Sequence, residues 1–386
     1  MKNKFCHARE GGHPRKVTNI IFGCLSWIPA FAGMTLLFVS PLHADISIGL
    51  IAPLSGQYAV FGEQIKKGAE QAIKNINDAG GVLGEKLKLE SADDACDPKQ
   101  AVAAANQMAS KGVKYVVGHY CSGSAIPASK VFIEEKVLVI SPGATNPDYT
   151  DKGGDTVFRV CGRDDKQGGV IADTIVKEFK GKKIALLNDK SAYGRGLADQ
   201  VKRELNKAGM NEAMFESFAA GEKDYSAIVA NLKQSNIDVV FIGGYHTESG
   251  LITRQLREAG SKAQVIGGDA LVTNEFWSIT GKAGEGALMT FGPDPRKNVD
   301  AKPVVEQLRK AGYEPEGYTL YSYASVQVFA DAIKQAGAND ASKVTQVMHK
   351  DKFKTVLGEL GFDAKGDVLA PAYVMYIWKN GSYAER

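Results

Sequence analysis

The chain alternates short apolar strands with amphipathic helices, and it does so in two successive blocks. In the first block, a strand-like run at 46–51 precedes a helical pattern over 59–78, where apolar side chains recur every three or four residues. Similar pairs continue to residue 141, and a second series runs from 165 to 259. Strands separated by helices of this length pair in parallel through right-handed crossovers. The pattern predicts an α/β protein with two doubly wound parallel-sheet lobes.

The C-terminal third is predicted to be mostly helical and to end in strands. Helices are expected at 300–311, 318–336 and 341–349, and strands at 358–363 and 372–378. Too few strands remain there for a third independent lobe. We therefore expect this part of the chain to complete the first two lobes, which makes each lobe discontinuous.

Residues 1–44 are typical of an export signal. A basic stretch is followed by a mainly apolar stretch over 20–39, and Ala44 suits cleavage by signal peptidase. The segment is long and its apolar run is interrupted. Three alternatives therefore remain: translation that begins near Met34, a retained membrane anchor, and a lipid-modified Cys24. The prediction is an exported protein of the periplasm.

Beyond residue 44 the charges nearly balance. The leader holds five of the 47 Lys and Arg residues and one of the 44 Asp and Glu residues, which leaves 42 basic against 43 acidic side chains. No basic run predicts a nucleic-acid partner. No later stretch approaches the roughly 18 uninterrupted apolar residues of a membrane span, so a soluble chain is expected.

Three cysteines lie beyond the leader: Cys96, Cys121 and Cys161. Cys96 and Cys121 both follow predicted strands, so an oxidising compartment favours a disulfide between them. Three buried thiols are the alternative, because spacing alone does not decide the pairing. Cys161 remains unpaired in the first case, and no histidine pattern provides it with a base.

Polar loops follow the predicted strands of both blocks, where ligands bind in open parallel sheets. In the first block they contain Ser122, Gly143 and Thr145, whose hydroxyls and free amides suit a carboxylate. In the second block they contain Tyr193, Tyr245 and Asp269, which suit an ammonium group. The alternatives are ordinary helix N-caps and turns.

The sequence offers little chemistry for an enzyme. The three histidines beyond the leader have no metal-ligand spacing, so no metal site is predicted. No nucleophile elbow, phosphate loop or dinucleotide fingerprint follows the strands, so no cofactor is predicted. A doubly wound fold without these features favours binding over catalysis.

The chain resembles the periplasmic branched-chain amino-acid-binding proteins of ABC transporters, which have the type I periplasmic binding fold. The resemblance covers nearly all of 45–386 and is carried by DDACDPKQAV at 93–102, GHYCS at 118–122, AGEKDY at 220–225 and GGYH at 243–246. It implies two lobes joined by three crossovers. We place the first lobe at 45–163 and 293–371 and the second at 164–292 and 372–386.

The resemblance also implies roles for individual residues. Ser122, Thr145 and the Gly143 backbone would hold the α-carboxylate of an amino acid. Asp269 would face its α-ammonium, where relatives carry Glu, so a bridging water is one possibility. Tyr193 and Tyr245 would close the cleft from the second lobe. Phe61 and Tyr323 would line the side-chain pocket. Cys96 and Cys121 would form the disulfide of the family.

One departure from the family concerns specificity. Tyr120 stands where classical leucine and isoleucine binders have leucine. We hypothesise that its ring narrows the pocket for alanine, threonine, proline or γ-aminobutyrate; the alternative is a ring that swings aside and still admits leucine. The expected function is capture of a free amino acid by a monomer that delivers it to ABC permease subunits. A ligand sensor and an enzyme on the same scaffold are the other classes.

Overall fold

The computed structural model describes residues 45–369 and 372–386, so the predicted export signal at 1–44 lies outside the described residues. The two blocks of strands and helices form two separate sheets. We call each sheet, together with the helices packed on it, a lobe. Within the two described ranges, no helix is both long and apolar enough to cross a membrane.

The first lobe is built on a five-stranded parallel sheet. Its elements are β1 (Ile46–Ala52), α1 (Ala59–Asp78), β2 (Leu87–Asp93), α2 (Pro98–Ser110), β3 (Tyr115–Gly118), α3 (Ser122–Glu134), β4 (Leu138–Ser141), α4 (Asp148–Asp151) and β5 (Val157–Arg159). The strand order is β2-β1-β3-β4-β5. β3 and β4 are buried at every position, as expected for parallel strands covered on both faces.

The second lobe contains a seven-stranded sheet. Its elements are α5 (Asp164–Glu178), β6 (Ile184–Asn188), α6 (Ala192–Lys207), β7 (Met214–Ser217), α7 (Ser226–Gln234), β8 (Val239–Gly243), α8 (His246–Glu258), β9 (Gln264–Gly267), α9 (Asn274–Thr280) and β10 (Leu288–Phe291). β6 to β10 are parallel, which confirms the crossover prediction for this block.

The C-terminal third returns to both lobes. It contains α10 (Lys302–Lys310), α11 (Thr319–Ala336), α12 (Ala341–Lys350), β11 (Phe353–Thr355), β12 (Gly358–Leu360), β13 (Val374–Lys379) and β14 (Ser382–Glu385). α11 packs along α1, where the Ser322 hydroxyl donates to the Ile65 carbonyl at 2.6 Å. β12 pairs with β11, whereas β13 and β14 extend the second sheet as antiparallel strands. The expected fold class is thus confirmed, with an antiparallel edge on one sheet.

The chain passes between the lobes after β5, after β10 and after β12. A buried ion-pair network links the first and third of these crossings. Arg159 pairs with Asp367 at 2.6 Å, and Arg163 pairs with the other carboxylate oxygen of Asp367 at 2.7 Å. Arg159 also donates to the Ala144 carbonyl at 2.7 Å, so the network reaches the loop after β4. The end residues predicted for each lobe remain a proposal.

A disulfide joins the loops that follow β2 and β3. Cys96 and Cys121 are bonded, with their Cα atoms 5.5 Å apart, so this prediction is confirmed. Cys161 is a buried free thiol whose Sγ lies 3.7 Å from the Ala144 carbonyl oxygen. Burial raises the pKa of the Cys161 thiol well above its ordinary value, which leaves it protonated and unreactive.

Candidate ligand-binding cleft

A small cavity lies between the lobes at the carboxyl ends of their strands. It encloses about 160 Å³ and is lined by Tyr120, Ser122, Gly143, Tyr193, Tyr245 and Asp269. These six residues follow β3, β4, β6, β8 and β9, which come from both sheets. All six belong to the set predicted from the sequence, and the structure brings them together.

Asp269 is the acidic group of the cavity. Tyr193 Oη and Gln167 Nε2 donate to its Oδ1 at 2.7 and 2.8 Å, and Tyr318 Oη donates to its Oδ2. Burial raises the pKa of Asp269, although these three donors act in the opposite direction. The carboxylate is therefore fixed from both lobes, because Tyr318 precedes α11 and the other two donors lie on the second lobe.

The opposite wall presents the start of α3. Cys121 is the residue before this helix and its side chain makes no capping hydrogen bond, so the first amides of α3 have no side-chain acceptor. Ser122 lines the cavity, and its Oγ accepts from the Asn146 amide at 3.2 Å. Thr145 is fully buried beside this loop. Free amides and hydroxyls at a helix N-terminus suit an anion such as a carboxylate.

The wall of the cavity is closely packed at Gly143. A Cβ at Gly143 would lie 2.6 Å from Tyr120 Cδ2, so only glycine leaves room for the ring. Its amide donates to Ser141 Oγ at 3.2 Å, within the same loop. Gly268 is similarly restricted, since a Cβ there would lie 2.4 Å from the Tyr193 hydroxyl. These contacts fix both tyrosines against the backbone.

An aromatic cluster packs behind the tyrosines that line the cavity. Tyr120 stacks on Phe61 with ring centroids 4.3 Å apart and meets Tyr318 edge-on at 5.2 Å. From the second lobe, Tyr245 packs against Tyr58 at 4.6 Å and Tyr193 at 5.1 Å. Tyr120 is 3% exposed and is packed on two sides, by Phe61 and by Tyr318.

The structure does not bring Tyr323 to the cavity. Its hydroxyl instead accepts from Asn75 Nδ2 at 3.0 Å, between α11 and α1. Tyr318, five residues earlier and just ahead of α11, occupies the position beside Asp269. Tyr318 was not predicted as a site residue, because nothing in the local pattern at the start of the helix expected over 318–336 distinguishes this tyrosine.

A wider groove lies on the outer face of the second lobe, between α7 and α8. It is lined by polar residues that include Lys223, Lys233 and Arg254. The interlobe cavity, by contrast, lies at the carboxyl ends of strands from both sheets, where ligands bind in parallel α/β folds, so we assign the candidate site to it.

Two sheets joined by three chain crossings, with a polar cavity at their facing strand ends, define a two-lobed solute-binding protein. The chain belongs to the periplasmic binding protein family, whose model matches residues 45–382. It is 53% identical over 340 residues to Leu/Ile/Val-binding protein homolog 1 of Brucella suis, covering 88% of this chain and 92% of that one. It is 48% identical over 344 residues to an amino acid binding protein of Pseudomonas aeruginosa, covering 88% and 92%.

Solved structures show the same fold. A leucine binding protein from Thermotoga maritima superposes with a TM-score of 0.82 at 29% identity, covering 88% of this chain and 97% of that one. A branched-chain amino acid transporter substrate binding protein from Streptococcus pneumoniae, in complex with isoleucine, gives 0.81 at 26% identity, covering 89% and 100%. The family contains substrate-binding proteins of ABC transporters rather than enzymes.

Proposed function

We propose that this protein captures a free amino acid in the interlobe cavity. The observation that carries the proposal is the placement of opposite chemistry on the two walls. Asp269 is fixed by three donors on one side, and the uncapped start of α3 lies with Ser122 on the other. A zwitterion satisfies both walls, because its ammonium group suits the acid and its carboxylate suits the amides.

The same cavity favours a small neutral side chain. Its six lining residues lie close together, with about 160 Å³ of space between their atoms. Tyr120 lines the cavity and meets the ring of Tyr318 edge-on, which leaves little free space on this side. The relatives named for binding leucine, isoleucine and valine support branched-chain ligands. We expect alanine, threonine, proline and γ-aminobutyrate to fit this cavity better than the branched-chain amino acids do.

The partner we propose is the permease of an ABC importer, with the protein exported to the periplasm as a monomer. The family and the substrate-binding proteins among its relatives support this assignment. Uptake of labelled amino acid by cells that lack this gene tests it. Lost uptake that returns with the gene supports delivery, whereas unchanged uptake with an altered transcriptional response favours a sensor.

Thermal unfolding of the purified protein against a panel of free amino acids tests ligand capture. A ligand that binds only the native state raises the Tm, and the rise grows with the logarithm of its concentration over its Kd. We expect small neutral amino acids to raise the Tm most. Larger shifts with leucine, isoleucine and valine would show that the aromatic wall moves, and no shift with any amino acid would overturn the proposal.

A further inference from the structure

Asn146, in the loop between β4 and α4, makes a hydrogen bond with each of its four polar groups. Its backbone amide donates to Ser122 Oγ at 3.2 Å, and its carbonyl accepts from Arg159 Nη1 at 3.0 Å. Its side-chain Oδ1 accepts from the Asp148 amide at 2.9 Å, and its Nδ2 donates to the Ala192 carbonyl at 2.6 Å. The first three bonds fix Asn146 within the first lobe, whereas the fourth crosses to the first residue of α6 on the second lobe.

The second lobe has a notch for this side chain at Gly196, about one turn along α6 from Ala192. A Cβ at Gly196 would lie 2.6 Å from Asn146 Nδ2, a separation too short for two nonbonded atoms. Gly196 lies inside the helix, where alanine is more favourable than glycine. Helix stability alone therefore does not account for this glycine. It leaves the space that the Asn146 amide occupies.

Ser122 connects this contact to the cavity, which it lines at the start of α3. A serine hydroxyl has one proton and two lone pairs, so a hydroxyl that accepts from the Asn146 amide keeps its proton for an acceptor in the cavity. A charged acceptor such as a carboxylate forms a stronger hydrogen bond and polarises the hydroxyl. A carboxylate at Ser122 therefore also strengthens the bond that holds the Asn146 backbone, from which the side chain reaches Ala192.

We propose that Asn146 is a positioning residue that holds the cleft closed over the ligand by inserting its amide into the Gly196 notch. The inference rests on the proposed function, because it takes the ligand carboxylate to lie at Ser122. Closure exchanges a bond between the Asn146 amide and water for one with the Ala192 carbonyl, and ligand release breaks that bond again. Asn146 thus determines how firmly the ligand is retained, although it does not line the cavity.

Titration calorimetry of the purified protein with L-alanine and with L-leucine measures the contact from each lobe. Asn146→Ser keeps an oxygen that can accept from the Asp148 amide, but its side chain is too short to reach Ala192. Gly196→Ala leaves Asn146 intact and fills the notch. Because each substitution removes the hydrogen bond across the cleft, we expect either one to weaken binding roughly 5- to 30-fold.

Two matched substitutions away from the contact are the controls. Asn106→Ser changes an exposed asparagine on α2, and Gly169→Ala changes a glycine on α5 whose Cβ would meet no atom within 4 Å. Both controls should bind like the wild type. Thermal unfolding without ligand then separates retention from folding. Because alanine favours a helix, Gly196→Ala and Gly169→Ala should both keep or raise the Tm, yet only Gly196→Ala should lose affinity.

The double variant Asn146→Ser with Gly196→Ala tests whether the two residues act through one contact. If they do, its affinity should be about that of the weaker single variant, whereas independent effects would multiply. Losses that multiply, a Gly196→Ala variant that binds within twofold of the wild type, or an affinity loss that comes with a lowered Tm would each overturn the inference alone. A wild type that binds neither amino acid, nor any other of the panel, would overturn the proposed function and the inference together.

Discussion

Tyr120 meets Gly143 and Phe61 so closely that its ring forms a fixed wall of the cavity. Replacing Tyr120 with leucine removes the ring and leaves an aliphatic surface, so the affinity for isoleucine should rise. Burying about one or two more methylene groups of the ligand predicts a gain of roughly 4- to 15-fold at about 0.8 kcal/mol each. Calorimetric titration with isoleucine measures the change.

The control for this substitution is Tyr323→Leu. Tyr323 is also buried, but it bonds Asn75 between α11 and α1 and lies away from the cavity, so its loss should leave isoleucine affinity unchanged. Equal effects of the two substitutions, or none from Tyr120→Leu, would show that the ring does not limit the ligand.

Asp189, which directly follows β6, destabilises the folded state in a pH-dependent way. It is 6% exposed, and burial is the main cause that raises its pKa from 3.8 to about 6. The folded state therefore holds this proton more tightly than the unfolded chain, and stability falls as the pH rises from about 4 to 6. At neutral pH the difference between the folded and unfolded pKa of Asp189 lowers the free energy of unfolding by up to roughly 3 kcal/mol.

We expect Asp189→Asn to remove that cost, because the amide keeps an oxygen that accepts from the Ser191 backbone amide, now bonded at 2.9 Å. The variant should be more stable than the wild type at pH 7.5 and similar to it at pH 4. Urea unfolding at both pH values measures the difference. A variant that is less stable at pH 7.5 contradicts the assignment.

The elements of the parallel blocks could be predicted from the sequence because most of their strands are continuous apolar runs, such as β6 and β8, and their long helices have an apolar face. Helix α1 matches its predicted range, 59–78. The strand-end loops were predictable for the same reason, since parallel strands present their carboxyl ends at one edge. β5, β10 and β14 were not predicted, because runs of three or four residues carry too little periodicity.

Tyr318 could not be found from local pattern. It reaches Asp269 only because α11 returns to pack on α1, a contact between distant parts of the chain.

The disulfide ties the loops that follow β2 and β3, and thereby the start of α3. The two cysteines are 25 residues apart, and closing a loop of that size in the unfolded chain predicts a stabilisation of about 3.5 kcal/mol. Cys96→Ser with Cys121→Ser should lower the free energy of unfolding by about this amount. Urea unfolding with and without reductant measures it.

The control for the disulfide is Cys161→Ala, which removes a buried free thiol and keeps the bridge. Reductant should destabilise this variant as much as the wild type, and should not affect the double serine variant. Reductant that leaves the wild type unchanged would mean that the bridge adds nothing to stability.

At the scale of the whole molecule, the lobes are held together by contacts outside the cavity. Asn146 Nδ2 donates to the Ala192 carbonyl at 2.6 Å across the cleft. Glu316, ahead of α11, accepts from Thr273 Oγ1 at 3.2 Å and from the Asn274 amide at 3.1 Å on the second lobe. These bonds stabilise the closed arrangement without touching the cavity, so they offer a way to test whether ligand retention depends on closure.

Glu316→Ala should weaken closure and therefore speed ligand release. Each lost hydrogen bond is worth about 1 kcal/mol, so removing both predicts a dissociation rate roughly 5- to 30-fold higher. Because capture starts on an open cleft, the association rate should change little. Surface plasmon resonance with immobilised protein and the amino acid that gives the largest Tm shift separates the two rates. Glu314→Ala, two residues away and bonded to Arg309 on its own lobe, is the control. A Glu316→Ala effect confined to association would mean that the two lobes are already closed when the ligand arrives.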